Sequence, residues 1–177
     1  MKTLCLSVIF VLFLCLNLIG QSNFKWDIKI DSLKNNRAEL YSITKQYIAE
    51  TWKSAQNVIQ NDDKENGIIL VKGNISESMK YMMNIHEFVF NYNVKFMIKD
   101  NKCRLVVDNV ICNSHRVGVI NWPVVIVNEV YSDDMKRAMV NEKNYLTLMQ
   151  MLKTDIQTIL VDSYPKYLKN SMSVNNW

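Results

Sequence analysis

The stretch HEFVFNYNVKFMIKDNKCRLVVDNVIC, residues 86–112, decides the fold. In its first half His86, Phe88, Phe90, Tyr92, Val94, Phe96 and Ile98 alternate with Glu87, Val89, Asn91, Asn93, Lys95 and Met97. Successive side chains of a strand point to opposite faces, so this pattern predicts a long strand with one aromatic and aliphatic face. His86 falls on that face and reads as an aromatic core neighbour. Lys99 to Lys102, KDNK, supplies turn chemistry, and CRLVVDNVIC follows with β-branched residues, so the two runs are predicted to form a hairpin.

Upstream, FKWDIKI places Phe24, Trp26, Ile28 and Ile30 on one face and Lys25, Asp27 and Lys29 on the other, a half-buried strand. The period then lengthens. Leu40, Ile43, Tyr47, Ile48, Trp52 and Ala55 recur at spacings of three and four, which predicts an amphipathic helix ending near Gln56. Asn36 is its expected N-cap, with Glu39 three residues on. Val58–Asn61 and Ile68–Lys72 are two short β-rich runs joined by the polar knot DDKENG, and a Met-rich segment separates them from the long strand.

Downstream, NSHRVGVINWPVVIVNEVY is broken by Gly118 and Pro123, and YSDDMKRAMV offers at most a helical turn. A helix is predicted from about Asn141, with Tyr145, Leu148, Leu152, Ile156 and Ile159 as its stripe and Pro165 ending or kinking it at Tyr164. The pattern gives an α+β two-layer sandwich: an antiparallel sheet of about five strands with two helices on one face, in the order β-α-β-β-β-β-α.

The chain has 177 residues, 49% of them hydrophobic, which suits one domain over residues 21–177. The first twenty read as a secretory signal peptide: Lys2, an apolar run from Leu4 to Ile19, and Gly20 before polar QSN. That run is short for a retained anchor, which needs about 20 apolar residues, and neither Cys5 nor Cys15 is placed for lipidation. Cleavage near Gly20 implies an exported chain, periplasmic or released, with no transmembrane anchor. Losing Lys2 leaves 20 basic against 17 acidic side chains, and these basic residues are scattered singly, so no footprint for nucleic acid is expected.

Cys103 and Cys112 then remain, nine residues apart in one predicted strand. That separates them by roughly 30 Å at about 3.3 Å per residue, whereas a bridge needs Cα atoms within about 7 Å. No intramolecular disulfide is expected.

The first strand and helix, the stretch NVIQNDDKENGIILVKG (residues 57–73), the aromatic strand ending in KDNKCRLVVDNV and the late LKTDIQTIL together resemble a domain-of-unknown-function family. Its members are secreted, mostly Bacteroidetes proteins with a fold similar to one repeat of the TATA-binding protein (TBP). The resemblance runs from about Phe24 to Leu168 and implies a TBP-like fold and an envelope location, with no catalytic residues to carry over. Asn113 to Tyr131 is its least family-like part. Nucleic-acid binding is not inherited from the fold.

No motif carries chemistry outright. Asp62, Asp63, Glu65 and Asn66 lack the ligand order of a calcium loop, and the knot reads as a turn in which Gly67 supplies a positive φ. Cys112 and His115, with Cys103 or His86, have one x2 pair and no second pair for zinc. The same Cys112 and His115 offer a thiol pair without an evident orienting carboxylate. Under the simpler reading Cys112 is a buried small residue at a strand end and His115 lies in a loop. Ser114 sits in no nucleophile elbow, and Asp133 and Asp134 suit a helix N-terminus. No cofactor is expected.

The resulting expectation is a non-enzymatic, exported binding or interaction domain meeting an envelope protein or ligand. Its contact surface is sought in the adaptable Met79, Tyr81, Met82 and Met83 and at Trp122, within the segment after Cys112. Two alternatives stand beside it: a thiol- or metal-dependent hydrolase using Cys112 and His115, and a small-ligand carrier.

Overall fold

In the computed structural model, which describes residues 24–52, 55–81, 83–122, 125–126 and 141–174, the alternating run is the centre of an antiparallel sheet. Strand β4 spans Asn84–Lys99 and pairs on one side with β5, Lys102–Val117, through the two-residue turn Asp100–Asn101. On its other side it pairs with β3, Ile68–Tyr81. β1, Trp26–Ile30, lies outside β5, and β2, Ile59–Asp63, lies outside β3, giving the order β1-β5-β4-β3-β2. Two short strands, β6 (Ile120–Trp122) and β7 (Val125–Ile126), extend the outer edge of β5.

Every second side chain of β4 from His86 to Ile98 is buried, as its alternation requires. Helix α1, Arg37–Trp52, packs on β4, and α3, Glu142–Ile156, packs on β3. The architecture is therefore α+β with helices on one sheet face. Asn36 caps α1 by accepting the Glu39 N–H at 3.0 Å, and Asn141 caps α3 by accepting the Asn144 N–H at 2.9 Å.

Four expectations need correction. Helix α1 ends at Trp52, and a separate short helix α2, Ala55–Val58, follows. The Met-rich segment is no gap between strands, because β3 runs unbroken through Met79 to Tyr81, held by pairing along the whole of β4. β5 likewise continues past Cys112, so Cys112 is in mid-strand and His115 lies opposite Phe88 instead of in a loop. The C-terminal helix also passes Pro165: α3 opens into a π-helical stretch, Gln157–Asp162, and then α4 runs over Ser163–Val174. A proline clashes with the carbonyl four residues back, here that of Val161, and the wider π turn makes room at that carbonyl.

The polar knot is the β2–β3 turn, with structural duties of its own. Gly67 has φ +67°, and a Cβ there would sit 2.2 Å from the Ile98 carbonyl oxygen. Asp63 accepts the Asn66 backbone N–H at 3.0 Å, closing the turn. Asp62 reaches instead to α1, accepting the Tyr41 hydroxyl and, at 2.5 Å, the Lys45 ammonium. Residues 1–23, which include the signal-peptide segment, and residues 127–140, with Asp133 and Asp134, lie outside the described residues. Among the described residues no helix is long and apolar enough to cross a membrane.

Candidate functional site

The two ends of the sheet differ. At the end closed by Asp100 and Asn101 the buried face holds Phe96, Ile98, Cys103 and Leu105, with Tyr164 edge-on to the Phe96 ring. Toward the other end the same face turns polar. Glu77 of β3 stands opposite Phe88 of β4, and Phe88 stands opposite His115 of β5, so one row carries a carboxyl, a ring and an imidazole. His86 occupies the next row, between Met79 and Val117.

The two imidazoles meet, with His86 Nδ1 3.0 Å from His115 Nε2, and His115 stacks on Phe88 at 4.3 Å between centroids. A hydrogen bond between two ring nitrogens needs one of them unprotonated, so the two imidazoles cannot both be cationic. Burial, followed by the neighbouring His86, pushes the His115 imidazole down to about 4, and burial lowers His86 as well. Glu77 faces Asp155 of α3. Burial, then the hydrogen bond and charge of Asp155, raises its carboxyl to about 7. The two rows thus bring together a pair of imidazoles in contact and a pair of carboxyl groups in contact.

Beyond this row the strands end in two adjacent hairpin tips. Tyr81 opposite Asn84 closes the β3–β4 turn, where Met83 is 93% exposed. Val117 opposite Ile120 closes the β5–β6 turn, where Val119 is 96% exposed next to Gly118 at φ +58°. The pairing of His86 with Val117 sets the two tips side by side. Ile85 and Ile120, at 62% and 55% exposed, add aliphatic surface near the tips on opposite faces of the sheet, since Ile120 shares the face of His86 and Val117 and Ile85 does not. Exposed aliphatic side chains that cluster at one place on a folded chain are a usual mark of a contact surface.

Of the residues singled out from the sequence, Met83 lies exposed at the β3–β4 tip. Met79 does not: it is half-buried against the core beside His86. Tyr81 ends β3, and Trp122 lies in β6 opposite His115, while Met82 is outside the described residues. Ile85, Val119 and Ile120 were missed. A signal was available in Val119, a β-branched residue directly after a turn glycine, where a polar residue is the rule.

Cys112 and His115 do not form a thiol pair. The Cys112 sulfur points to the Ser114 carbonyl at 3.6 Å, and burial pushes the thiol up to about 11, away from the thiolate a nucleophile requires. Cys103, near the opposite end of β5, is also buried and unbridged. Among the described residues no group of three or more His, Cys, Asp or Glu is placed to hold a metal ion.

Residues 24–112 match the family model described as a domain of unknown function (DUF4468) with TBP-like fold. A crystal structure of a DUF4468 family protein from Bacteroides ovatus ATCC 8483 is similar at 13% identity and TM-score 0.45, over 56% of this chain and 60% of that one. The chain thus spans less than two thirds of that relative. A TBP-like protein from Parabacteroides distasonis ATCC 8503 is similar at 9% identity and TM-score 0.48, over 81% of this chain and 96% of that one. No curated protein matches. The family match stops at Cys112, so Val119, Ile120 and Trp122 all lie beyond it.

Proposed function

From the premise that the chain belongs to the DUF4468 family of TBP-like domains of unknown function, we propose that it is an exported, non-enzymatic binding domain that meets an envelope partner with its two hairpin tips. The carrying observation is the pair of adjacent turns that hold Met83 and Val119 almost fully in solvent. Tyr81 and Trp122, residue types enriched in protein contacts, fall in the strands that lead to those tips. Export is supported by Lys2, the apolar run from Leu4 to Ile19 and Gly20.

A hydrolase built on Cys112 lacks comparable support, since the sulfur is buried and its pKa raised. The experiment is recovery of partners from an envelope extract with the purified protein and with its Met83→Ser/Val119→Ser variant. A partner retained by the parent and lost by the variant is expected. Recovery indifferent to the tips would overturn the assigned surface, and an empty recovery in every condition would overturn the binding role. Fractionation of expressing cells, with the N-terminus read by mass spectrometry, tests export; an uncleaved cytoplasmic chain would refute it.

A further inference from the structure

The open face of the sheet carries a second feature, at the end opposite the hairpin tips. Single lysines scattered through the sequence are gathered there by register. Lys29 of β1 stands opposite Arg104 of β5, and Arg104 stands opposite Met97 of β4. Lys99 stands opposite Lys102 in the closing pair of the hairpin. Lys95, two residues before Met97, shares this face, because its neighbours Val94 and Phe96 are buried on the other. The groove between these rows measures about 340 Å³ and is lined by Lys29, Asp31, Met97, Lys99, Lys102 and Arg104.

The charges are unevenly matched. Arg104 is tied to Asp27, 2.7 Å from Nε and 2.5 Å from Nη2. Asp100 is occupied by the Arg37 backbone N–H at 2.7 Å. Among the described residues Lys29, Lys95, Lys99 and Lys102 enter no ion pair, which leaves Asp31 as the acidic member of the groove lining. Such a cluster stores unfavourable self-repulsion that an anionic partner relieves.

We infer that this end of the open face docks an extended acidic peptide segment. Alternate residues of one strand lie about 6.4–6.8 Å apart. Lys95 and Lys99, four residues apart on β4, therefore match carboxylates on every fourth residue of an extended chain, with Met97 between them. Met97, half-buried on the groove floor, takes the aliphatic stems between those carboxylates. A second copy of this face does not fit, because its lysines would meet their own kind. Single-stranded nucleic acid fits poorly, since it stacks on aromatic side chains and the rows named here present none.

The test uses a labelled peptide of about ten residues alternating Glu and Ser, followed by fluorescence anisotropy at low ionic strength, where exposed charges are least screened. Binding is expected, and Lys29→Gln/Lys99→Gln/Lys102→Gln is expected to weaken it at least about tenfold, together with its dependence on salt. All three lysines are exposed, so an unchanged circular dichroism spectrum should accompany the loss. No binding at low salt, or equal binding by the triple variant, overturns the inference. Tighter binding of an oligothymidylate of equal length overturns it in favour of nucleic acid. Met83→Ser/Val119→Ser should leave the peptide affinity unchanged, so this surface and the hairpin tips stand or fall separately.

Discussion

The two ends of the buried sheet face are built from the same strands and obey different rules. At the Asp100–Asn101 end, Phe96, Tyr47 and Tyr164 pack as rings with centroids 5.0–6.3 Å apart, and Tyr47 bonds the Ile159 carbonyl at 2.8 Å. At the tip end Glu77, His86 and His115 take positions that alternation reserves for apolar residues. The first end is held by area removed from water; the second is held by keeping buried ionisable groups neutral. The difference teaches where stability resides and where surface is left over for contact.

The largest effect is expected at the apolar end. Phe96 is fully buried, and Phe96→Ala removes a ring that two tyrosines enclose, so a loss of about 3–5 kcal/mol is expected in denaturant unfolding. If Phe88→Ala in the polar row costs as much, the two ends are held alike and the comparison fails. Gly73, between the ends, sharpens it. A Cβ there would lie 2.5 Å from Tyr92 Cζ, and the Tyr92 ring is itself buried, so Gly73→Ala should cost about 1–3 kcal/mol. An unaffected variant would mean that the middle of the sheet yields easily.

The polar end should show itself through pH. Glu77 has a folded-state pKa of about 7 against an ordinary 4.5, so the folded chain favours its neutral form. That contribution is complete below about pH 4.5 and is lost as pH rises through 7. His115 works in the other direction. Its folded-state value of about 4 lies below the ordinary 6.5, so its contribution is present above 6.5 and is lost as pH falls through 4. Stability should therefore peak in mildly acidic solution. Glu77→Gln should remove the fall on the alkaline side, by roughly 1–2 kcal/mol once screening at the half-exposed Asp155 is allowed for. His115→Phe should flatten the acid side while keeping a ring on Phe88. Unfolding curves from pH 4 to 8 that coincide for parent and variants would show that Glu77 and His115 do not titrate as assigned.

This contrast also explains what the sequence made legible. β4 could be read because period two over His86–Ile98 records a face buried along its whole length, and α1 because Asn36 caps it where the period changes. The extent of β3 could not. Ile75, Glu77 and Met79 have no strong alternation of their own and are held by their partners Phe90, Phe88 and His86. For the same reason His115, thirteen residues past Lys102 at the end of the hairpin's turn signal, read as loop until its pairing with Phe88 was known. The lysines of the open face were visible singly, and only register gathers them.

The smallest effect on stability is expected at the hairpin tips, and its smallness gives it value. Met83 and Val119 are 93% and 96% exposed, so Met83→Ser and Val119→Ser remove almost no buried area. Surface changes of this kind stay within about 0.5 kcal/mol, and the tips lie beyond His86, the last buried residue of β4 at this end. The double variant should therefore unfold with the parent's midpoint and pH profile while losing its partner. A clear destabilisation would mean that the tips belong to the packed structure, as the rings of the other end do. An unchanged midpoint with lost binding would separate the two ends by role: one carries the stability of the fold, and the other spends exposed apolar surface on a contact that folding does not require.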